Sequence, residues 1–297
     1  MASFDYTAAG HVTVDVLADG TTQPGGGAFY SALQASRLGL RALVITRGHA
    51  SEIEHLLAPY AAELELRVQP AQHTTTLQSS AADATAAQRV LAWAGQLDPP
   101  AVVDSEILHL APVAHETGRH WHGTARFIGL TPQGLIRTWN AIGERMRATE
   151  LRRDQLPEHL DAVVLSDRER ACCGVLFDSA RAPAGRAASG DGGARTDGAA
   201  ARPLVAVTAA HRATMLHHPP AQPVALEVPR VQRVVDDVGA GDVFAAAFFC
   251  ALADQSTPRA AAAFANAAAA VRVSAAGADA VGTRESVEHR MRSAARA

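Results

Sequence analysis

The residues from 236 to 242 combine glycines and acids in an order that suits phosphate chemistry. They read Asp-Asp-Val-Gly-Ala-Gly-Asp, and beyond Asp242 apolar side chains recur at four-residue spacing (Phe244, Phe248 and Leu252). This spacing predicts a helix that begins near Asp242. The first N–H groups of a helix have no partner within it, and the aligned peptide dipoles make that end positive. The segment therefore predicts a positively polarised turn with a carboxylate beside it.

The glycines of this turn determine what can approach it. Because Gly239 and Gly241 have no side chain, an anion can come close to their amides and to that of Ala240. Asp242 would repel that anion, so we interpret it as a base that removes the proton from a hydroxyl attacking a phosphorus atom. The alternative from the pattern alone is a glycine-rich turn with an ordinary helix-capping aspartate.

A second acid stands before a run of glycines near the start of the chain. Residues 11–17 alternate between apolar and polar side chains, which predicts a half-buried strand with Asp15 on its more polar side. The three glycines at 25–27 then open a predicted helix. A dinucleotide-binding fingerprint would need a further glycine near position 30, where Tyr30 stands, so we set that interpretation aside.

Short apolar runs at helix-length intervals predict βαβ units and a parallel sheet. These runs lie at 43–45, 107–108, 127–130, 163–165 and 204–207. Polar residues follow three of them directly: Thr131, Gln133, Ser166, Glu169 and Thr208. Because ligands of open α/β sheets bind at the carboxyl ends of the strands, these residues predict one active site at that edge.

Composition narrows the class of protein. With 48% hydrophobic and 19% charged residues, the chain of 297 residues can bury a sizeable core. The net charge of −3 and the lack of basic runs argue against a nucleic-acid or membrane-surface partner. Three cysteines, two of them adjacent, form no disulfide framework, and the first residues lack the pattern of a signal peptide. The alanine-rich run 259–271 is interrupted by Asn266 and followed by Arg272, so it is not a membrane span. We expect a cytoplasmic protein.

Several motifs occur in an order that resembles the PfkB, or ribokinase-like, family of carbohydrate kinases. The turn at 236–242 is similar to that family's D-T-x-G-A-G-D signature, and no P-loop motif G-x-x-x-x-G-K-[ST] is present. The other similar segments are Gly10–Asp15, Gly25–Gly27, Arg37–Gly39, Thr74–Thr76, Leu130–Arg137, Phe264–Ala270 and Gly277-Ala278. The Pro-Gln-Gly-Leu-Ile-Arg segment at 132–137 looks most like the branch with inositol and nucleoside kinases.

The resemblance implies a fold and an activity. The fold would be a ribokinase-like three-layer αβα sandwich with a mostly parallel central sheet and a small β lid. The activity would be transfer of a phosphoryl group from ATP, with Mg²⁺, to a hydroxyl of a sugar, cyclitol or nucleoside. The chain would be a single kinase domain over 1–297, with lid elements near 11–24 and 72–94 and a flexible insertion at 181–202. A homodimer through the lid edge is an open alternative.

The resemblance also implies a role for each matching residue. The catalytic set is Asp242 as base with the amides of Gly239, Ala240 and Gly241. The substrate-binding set is Asp15, Gly26, Gly27, Tyr30, Gln133 and Arg137. On the nucleotide side we expect Thr208, Asn266 and Gly277, and Glu169 is the residue associated with the metal.

The chain departs from the family pattern at four places. Tyr30 stands where the family has Asn, Ser166 replaces the Asn of N-x-x-E, and Asp237 replaces the usual Thr. Residues 208–213, Thr-Ala-Ala-His-Arg-Ala, lack both glycines of T-x-G-x-x-G. Two alternatives therefore stay open: an impaired family member that binds a small polyol or nucleotide as a sensor or scaffold, and a kinase that uses a donor other than ATP.

Four histidines lie close together in the sequence, at positions 109, 115, 120 and 122. Their loop-like intervals and the lack of carboxylate partners argue against a metal site. We expect surface histidines or histidines at the edge of the substrate pocket.

Overall fold

A computed structural model describes residues 3–79, 88–98, 103–121, 123–178 and 202–294. These residues form fifteen β-strands and five α-helices. The strands are β1 (Phe4–Ala9), β2 (Thr13–Val16), β3 (Thr22–Gly25), β4 (Ala42–Gly48), β5 (Glu65–Pro70), β6 (Thr76–Gln78), β7 (Arg89–Ala92), β8 (Val103–Leu110), β9 (Gly123–Leu130), β10 (Arg137–Thr138), β11 (Arg147–Ala148), β12 (Ala162–Ser166), β13 (Leu204–Ala209), β14 (Arg212–His217) and β15 (Val224–Leu226). The α-helices are α1 (Gly27–Arg37), α2 (Ala50–Leu56), α3 (Ala240–Ala253), α4 (Pro258–Arg272) and α5 (Arg284–Ala294). Most of the predicted flexible insertion, 181–201, lies outside the described residues.

The central sheet has nine strands in the order β15-β14-β13-β12-β9-β8-β1-β4-β5. The pairs from β13 to β5 are parallel, whereas β14 and β15 are added antiparallel at one edge. The apolar runs of the sequence are the centres of these parallel strands, because strands buried on both faces are apolar at successive positions. The predicted α/β class with a mostly parallel sheet is confirmed.

The α-helices pack on one face of this sheet. The principal core joins α1, α3 and α4 to strand residues such as Tyr6, Val44 and Ala206. The poly-alanine surface of α4 allows close packing on α3, because small side chains let helix backbones approach. Thr257 caps α4 by accepting the Ala260 N–H at 3.3 Å, and Pro258 is its first residue, as the sequence predicts.

The opposite face of the sheet carries a second core. In the described part of the chain it is covered by three 3₁₀ turns, Pro132–Ile136, Arg153–Gln155 and Arg170–Leu176, and by extended segments between them. Leucines of these segments, including Leu135 and Leu156, meet the odd-numbered face of β12 and β13. The second layer therefore consists of short turns, which bring residues 131–137 over the carboxyl ends of the strands.

A separate sheet of four strands lies at that end of the molecule. Its order is β3-β2-β6-β7, with β2 and β6 parallel and the other neighbours antiparallel. It is formed by residues in the two ranges where the lid is predicted, although residues 80–87 are not described. We call it the small sheet.

The outer edge of β7 is hydrogen-bonded to another part of the chain. Gly143 donates to the Val90 carbonyl at 2.7 Å, Val90 donates to the Glu144 carbonyl at 3.1 Å, and Met146 donates to the Gln88 carbonyl at 2.8 Å. We call residues 139–146 the clasp. Its Trp139 and Met146 pack with Leu77 and Val90 of the small sheet in a third apolar cluster. The clasp therefore joins β7 to the segment that follows Arg137.

Within the described residues, no α-helix has the length and apolar character needed to cross a membrane.

Candidate active site

The turn of residues 236–241, which leads into α3, has the conformation that an anion-binding turn needs. We call it the anion turn. Gly239 precedes the helix with φ 73° in the left-handed region, which favours glycine. The turn closes through Ala240 N–H to the Asp237 carbonyl at 3.1 Å and Val238 N–H to Asp236 Oδ1 at 2.9 Å. A β-carbon on Gly241 would have no atom within 4 Å, so the space over this helix end is open. A ligand can therefore approach the first amides of α3 from that side.

Asp242 lies where two helices begin. It is in the first turn of α3, and a β-carbon on Gly27, the first residue of α1, would be 2.8 Å from its Oδ1. Ser31 of α1 donates to the Asp242 carbonyl at 3.3 Å and fixes α3 against α1. The carboxylate is thus close to the positive ends of both helices. It is partly exposed, and Asp15 of the small sheet is near enough to affect its pKa. We call the space between these two carboxylates the cleft.

The surroundings of Asp242 make it a base near neutrality. Desolvation in the cleft and the nearby carboxylates of Glu169 and Asp15 raise its pKa to about 7, while Arg137 acts in the opposite direction. A general base works best when its pKa is near the working pH. Perturbed carboxyls of this kind concentrate at functional sites, although structural ion pairs also cause them.

Asp15 faces the same cleft from the small sheet. It is 8% exposed, which is deeper than the half-buried position expected from the alternating pattern. Thr13 donates to its Oδ1 at 2.7 Å, and a β-carbon on Gly25 would overlap its carboxylate. Burial raises the pKa of Asp15, opposed by the Thr13 hydrogen bond and by Arg137. Its second oxygen is available for hydroxyl groups, which a carboxylate accepts well.

Arg137 brings positive charge to this group of acids. Burial lowers the pKa of its guanidinium, whereas the carboxylates of Glu169 and Asp242 act to raise it. It donates to the Val113 carbonyl at 3.3 Å, and no ion pair is formed by it within the described part of the chain. Because the chain contains no lysine, any side chain at the site that is positively charged at every working pH must be an arginine. Gln133, four residues before Arg137 in the same segment, is exposed.

Glu169 is the candidate for a magnesium site. It follows β12, and its Oε2 accepts the Ser166 N–H at 2.7 Å, which orients the carboxylate. Among the described residues, no group of three His, Cys, Asp or Glu side chains could form a metal cage. Mg²⁺ in phosphoryl-transfer sites is held by one or two carboxylates, water and substrate phosphates, so a single oriented carboxylate fits this ion.

The residues predicted to bind the nucleotide form hydrogen bonds to other residues of the protein. Asn266 is 3% exposed, accepts from Thr214 Oγ1 at 2.8 Å and donates to the Glu227 carbonyl at 3.4 Å. Thr208 Oγ1 donates to the Leu165 carbonyl at 3.4 Å. The glycine-free segment that begins there is a tight hairpin between β13 and β14, with Ala210 at φ 53°. The Gly277 amide donates to Asp236 Oδ2 at 2.9 Å.

Two predicted residues lie deeper than expected. Tyr30 is 2% exposed, and a β-carbon on Gly239 would overlap its ring, so Tyr30 packs beneath the anion turn and not in open substrate space. His109 is fully buried, with the Tyr6 hydroxyl at 2.7 Å from Nδ1 and Thr131 Oγ1 at 3.2 Å from Nε2. It is therefore a core residue rather than a surface or pocket-edge histidine. Of the other three, His115 contacts Trp139, His120 is exposed, and His122 lies outside the described residues.

Two further charged residues at the site were not identified from the sequence. Glu116 is fully buried and accepts the N–H groups of His11, Val113 and Ala114 at 2.6–2.8 Å, which ties β1 to β8 at the cleft. Arg272 is fully buried and pairs with Asp236 at 2.7 Å. The one signal for Arg272 was that no other charged residue follows Arg259 in the alanine-rich helix α4.

A family model and several solved structures are similar to this chain. The model of the "pfkB family carbohydrate kinase" matches residues 199–284, which contain the anion turn, α3 and α4. No curated protein matches the sequence significantly. Among solved structures, a pyrophosphate-dependent kinase in the ribokinase family, complexed with a pyrophosphate analog and myo-inositol, has TM-score 0.73 and 18% identity. The alignment covers 96% of this chain and 99% of that one.

Two other solved structures share the fold over a similar length. Arabidopsis thaliana ribokinase, complexed with ribose and ATP, has TM-score 0.66 and 15% identity, with 98% of this chain and 99% of that one covered. The Methanocaldococcus jannaschii nucleoside kinase has TM-score 0.67 and 14% identity, with the same coverage.

The chain thus has the ribokinase-like fold, and its residues 199–284 match the model of the pfkB family of carbohydrate kinases. With the match at 199–284, the resemblance to the PfkB family of carbohydrate kinases is confirmed.

Proposed function

We propose that this protein transfers the terminal phosphoryl group of ATP to a hydroxyl of a sugar, cyclitol or nucleoside. The observation that carries the proposal is the position of Asp242, a carboxylate with a pKa of about 7 beside the open end of α3. A base and a set of amides at one point can bind a phosphoryl group and deprotonate its attacker.

Each residue of the cleft has a part in this reaction. Asp15 accepts hydrogen bonds from acceptor hydroxyls, and Gly26 and Gly27 let the acceptor approach the backbone. Asp242 removes the proton of the attacking hydroxyl.

Two sets of groups stabilise the negative charge on the transferred phosphoryl group. The amides of Gly239, Ala240 and Gly241 donate to the phosphoryl oxygens, and Arg137 faces them from the acceptor side. Glu169 would hold Mg²⁺, whose contribution is to neutralise charge on the donor phosphates.

The acceptor class follows from the segment at 132–137. It resembles the branch with inositol and nucleoside kinases, and one similar structure is described with myo-inositol. We therefore favour a cyclitol or nucleoside over a simple pentose.

Pyrophosphate is a second candidate donor. The hairpin at Ala210 replaces the two glycines expected to line a nucleotide, and the Asn266 amide is hydrogen-bonded within the protein. Both observations weaken the adenosine side of the site without affecting the anion turn. The similar pyrophosphate-dependent kinase gives the same indication.

One screen tests these proposals. Purified protein is incubated with Mg²⁺ and either ATP or pyrophosphate against pentoses, hexoses, inositols, aminocyclitols and nucleosides, and products are followed by ³¹P NMR. A new phosphate-ester signal that is absent with Asp242→Asn supports the kinase. Saturable binding of an acceptor by calorimetry, with no turnover by any donor, would instead support the sensor or scaffold alternative.

Among the described residues, the outer edge of β3 is the edge of the small sheet that a homodimer could use. The clasp occupies the outer edge of β7, and at β3 the residue Pro24 has no N–H to donate. Light scattering of the purified protein, with and without substitutions at β3, tests whether that edge pairs.

A further inference from the structure

Arg272 is the largest side chain that is fully buried in the described part of the chain. Its Nη2 donates to Asp236 Oδ2 at 2.7 Å. Its Nη1 donates to the carbonyls of Asp236 at 3.3 Å and Ala275 at 3.2 Å. One guanidinium at the end of α4 therefore holds both the side chain and the backbone of Asp236, the first residue of the anion turn.

The Asp236 carboxylate is hydrogen-bonded both to the anion turn and to the loop after α4. Its Oδ1 accepts the Val238 N–H at 2.9 Å, and its Oδ2 also accepts the Gly277 N–H at 2.9 Å. Burial alone would raise the pKa of Asp236, but the hydrogen bonds from Arg272, Val238 and Gly277 outweigh it and lower the pKa. The carboxylate is thus the point at which α4, the loop after it and the anion turn meet.

Tyr30 supports the other side of the turn. Its ring lies beneath Gly239, where a β-carbon would overlap it, and the Arg272 guanidinium lies 5.4 Å from the ring centroid. Such cation–π contacts are favourable when the cation is desolvated. The Tyr30 ring therefore contacts both Gly239 and the Arg272 guanidinium.

A buried ion pair of this kind contributes little to the free energy of unfolding. Burying an ion pair removes two charges from water, and apolar replacements of similar size are often neutral or stabilising. The Arg272 Nε has no hydrogen-bond partner among the described residues, which adds to the cost. A buried pair that is directed at the anion turn is better explained by the geometry that it maintains.

We propose that Arg272 is a positioning residue that acts through Asp236 and Tyr30 to hold the amides of residues 239–241 where they meet the transferring phosphoryl group. The inference rests on the proposed phosphotransfer. It predicts that loss of Arg272 lowers kcat, because displacement of the turn weakens contacts made with the transferring group. Binding of the acceptor at Asp15 is on the other side of the cleft and should be unchanged.

The kinetic test compares Arg272→Met with Arg37→Met. Arg37 is the matched control, because it also forms an ion pair that is partly buried, to Glu63 at 2.8 Å. Its other hydrogen bonds go to the carbonyls of Ala278, Asp279 and Val281 and not to the anion turn. With the donor and acceptor found by the screen, we expect Arg272→Met to lose about 10- to 100-fold in kcat, as expected for a displacement near 1 Å. Acceptor affinity should stay within about twofold, and Arg37→Met should keep the parent kcat even if its melting temperature falls.

A second readout does not depend on turnover. Hydrogen exchange of a peptide covering residues 236–248 should become faster in Arg272→Met and stay unchanged in Arg37→Met. If the parent protein shows no kinase activity but this difference is present, the proposed function fails, and what stands of the inference is that Arg272 holds the turn. Equal exchange in both variants would overturn the positioning role, as would an unchanged kcat in Arg272→Met.

Asp236→Asn provides the same test if Arg272→Met does not fold. Asp236 is 18% exposed, so the amide can be hydrated, while its charge-assisted bond to the guanidinium is lost. Where both single variants do fold, the double variant should lose no more kcat than the larger single variant, because Arg272 acts through Asp236. Additive losses would show that the two residues act independently and would overturn the proposal.

Discussion

Gly27 lies against the carboxylate of Asp242, so that a β-carbon at position 27 would be 2.8 Å from Oδ1. This contact brings the start of α1 to the start of α3, although the two residues are far apart in sequence. The glycine run at 25–27 and the glycine turn at 239–241 are therefore two parts of one site. In the proposed reaction, one part admits the acceptor and the other admits the phosphoryl group.

Asp242→Asn should retain the fold and abolish most of the activity. The amide is nearly isosteric but cannot take the hydroxyl proton, and loss of a general base costs about 10²- to 10⁴-fold in rate. Turnover and circular dichroism of the variant check this expectation. Asp254→Asn, at the exposed far end of the same helix, is the control and should retain full activity. Turnover of Asp242→Asn at the parent rate would show that another group is the base.

Alanine at Gly241 and at Gly239 should have different effects. At Gly241 a β-carbon meets no atom within 4 Å, so Gly241→Ala should keep its melting temperature but lose activity, because the methyl group narrows the anion site. At Gly239 the φ of 73° and the Tyr30 ring make alanine strained, at a cost of about 1–2 kcal/mol or more. Calorimetric melting of both variants separates the two effects. A Gly241→Ala enzyme with full activity would show that no anion binds at this turn.

Activity should rise with pH through the pKa of Asp242. Because the base must be ionised, kcat/KM should increase as pH is raised through about 7 and then level off. A profile that is flat between pH 5.5 and 8.5 would contradict this assignment.

The raised pKa of Asp242 also makes the stability of the folded protein fall as pH rises, whereas activity should increase. The folded pKa of about 7 lies above the ordinary value of 3.8, so the native state holds this proton more tightly than the unfolded chain does. The contribution of Asp242 to stability is therefore greatest below about pH 4 and is lost as pH rises through 7. Relative to the parent, Asp242→Asn should gain in melting temperature between pH 5 and pH 8, as measured by calorimetry.

Asp15→Ala should weaken acceptor binding without affecting the donor. Hydrogen bonds to a charged group are worth about 1.5–3 kcal/mol, which corresponds to an increase in acceptor KM of about 10- to 100-fold. Asp19→Ala is the control, because Asp19 lies exposed in the turn between β2 and β3 and bonds only locally to Thr21. If donor KM rose instead, the acceptor and donor sides of the cleft would have been assigned in reverse.

The sequence was sufficient to predict the sheet and the turn at 236–242, because both depend on local patterns. Apolar runs mark strands buried on two faces, and glycines followed by an apolar helical pattern mark a tight turn at a helix start. The order of these elements in the sheet and the meeting of Gly27 with Asp242 depend on long-range packing, which local patterns do not contain.

Side-chain burial was the least predictable property. Tyr30 occupies a position at which the family pattern places a polar substrate ligand, yet the ring is covered by Gly239. His109 looked like one of four surface histidines but is enclosed by Tyr6, Phe249 and Thr131. In both cases the partner is distant in the chain, so no periodicity in the sequence could reveal it.

The clasp limits how the cleft can open. Residues 139–146 continue directly from Arg137 and are hydrogen-bonded to Gln88 and Val90. An outward swing of the small sheet must therefore either break those bonds or pull on the backbone beside the guanidinium. If the proposed acceptor enters by such a movement, its entry is coupled to a displacement of Arg137.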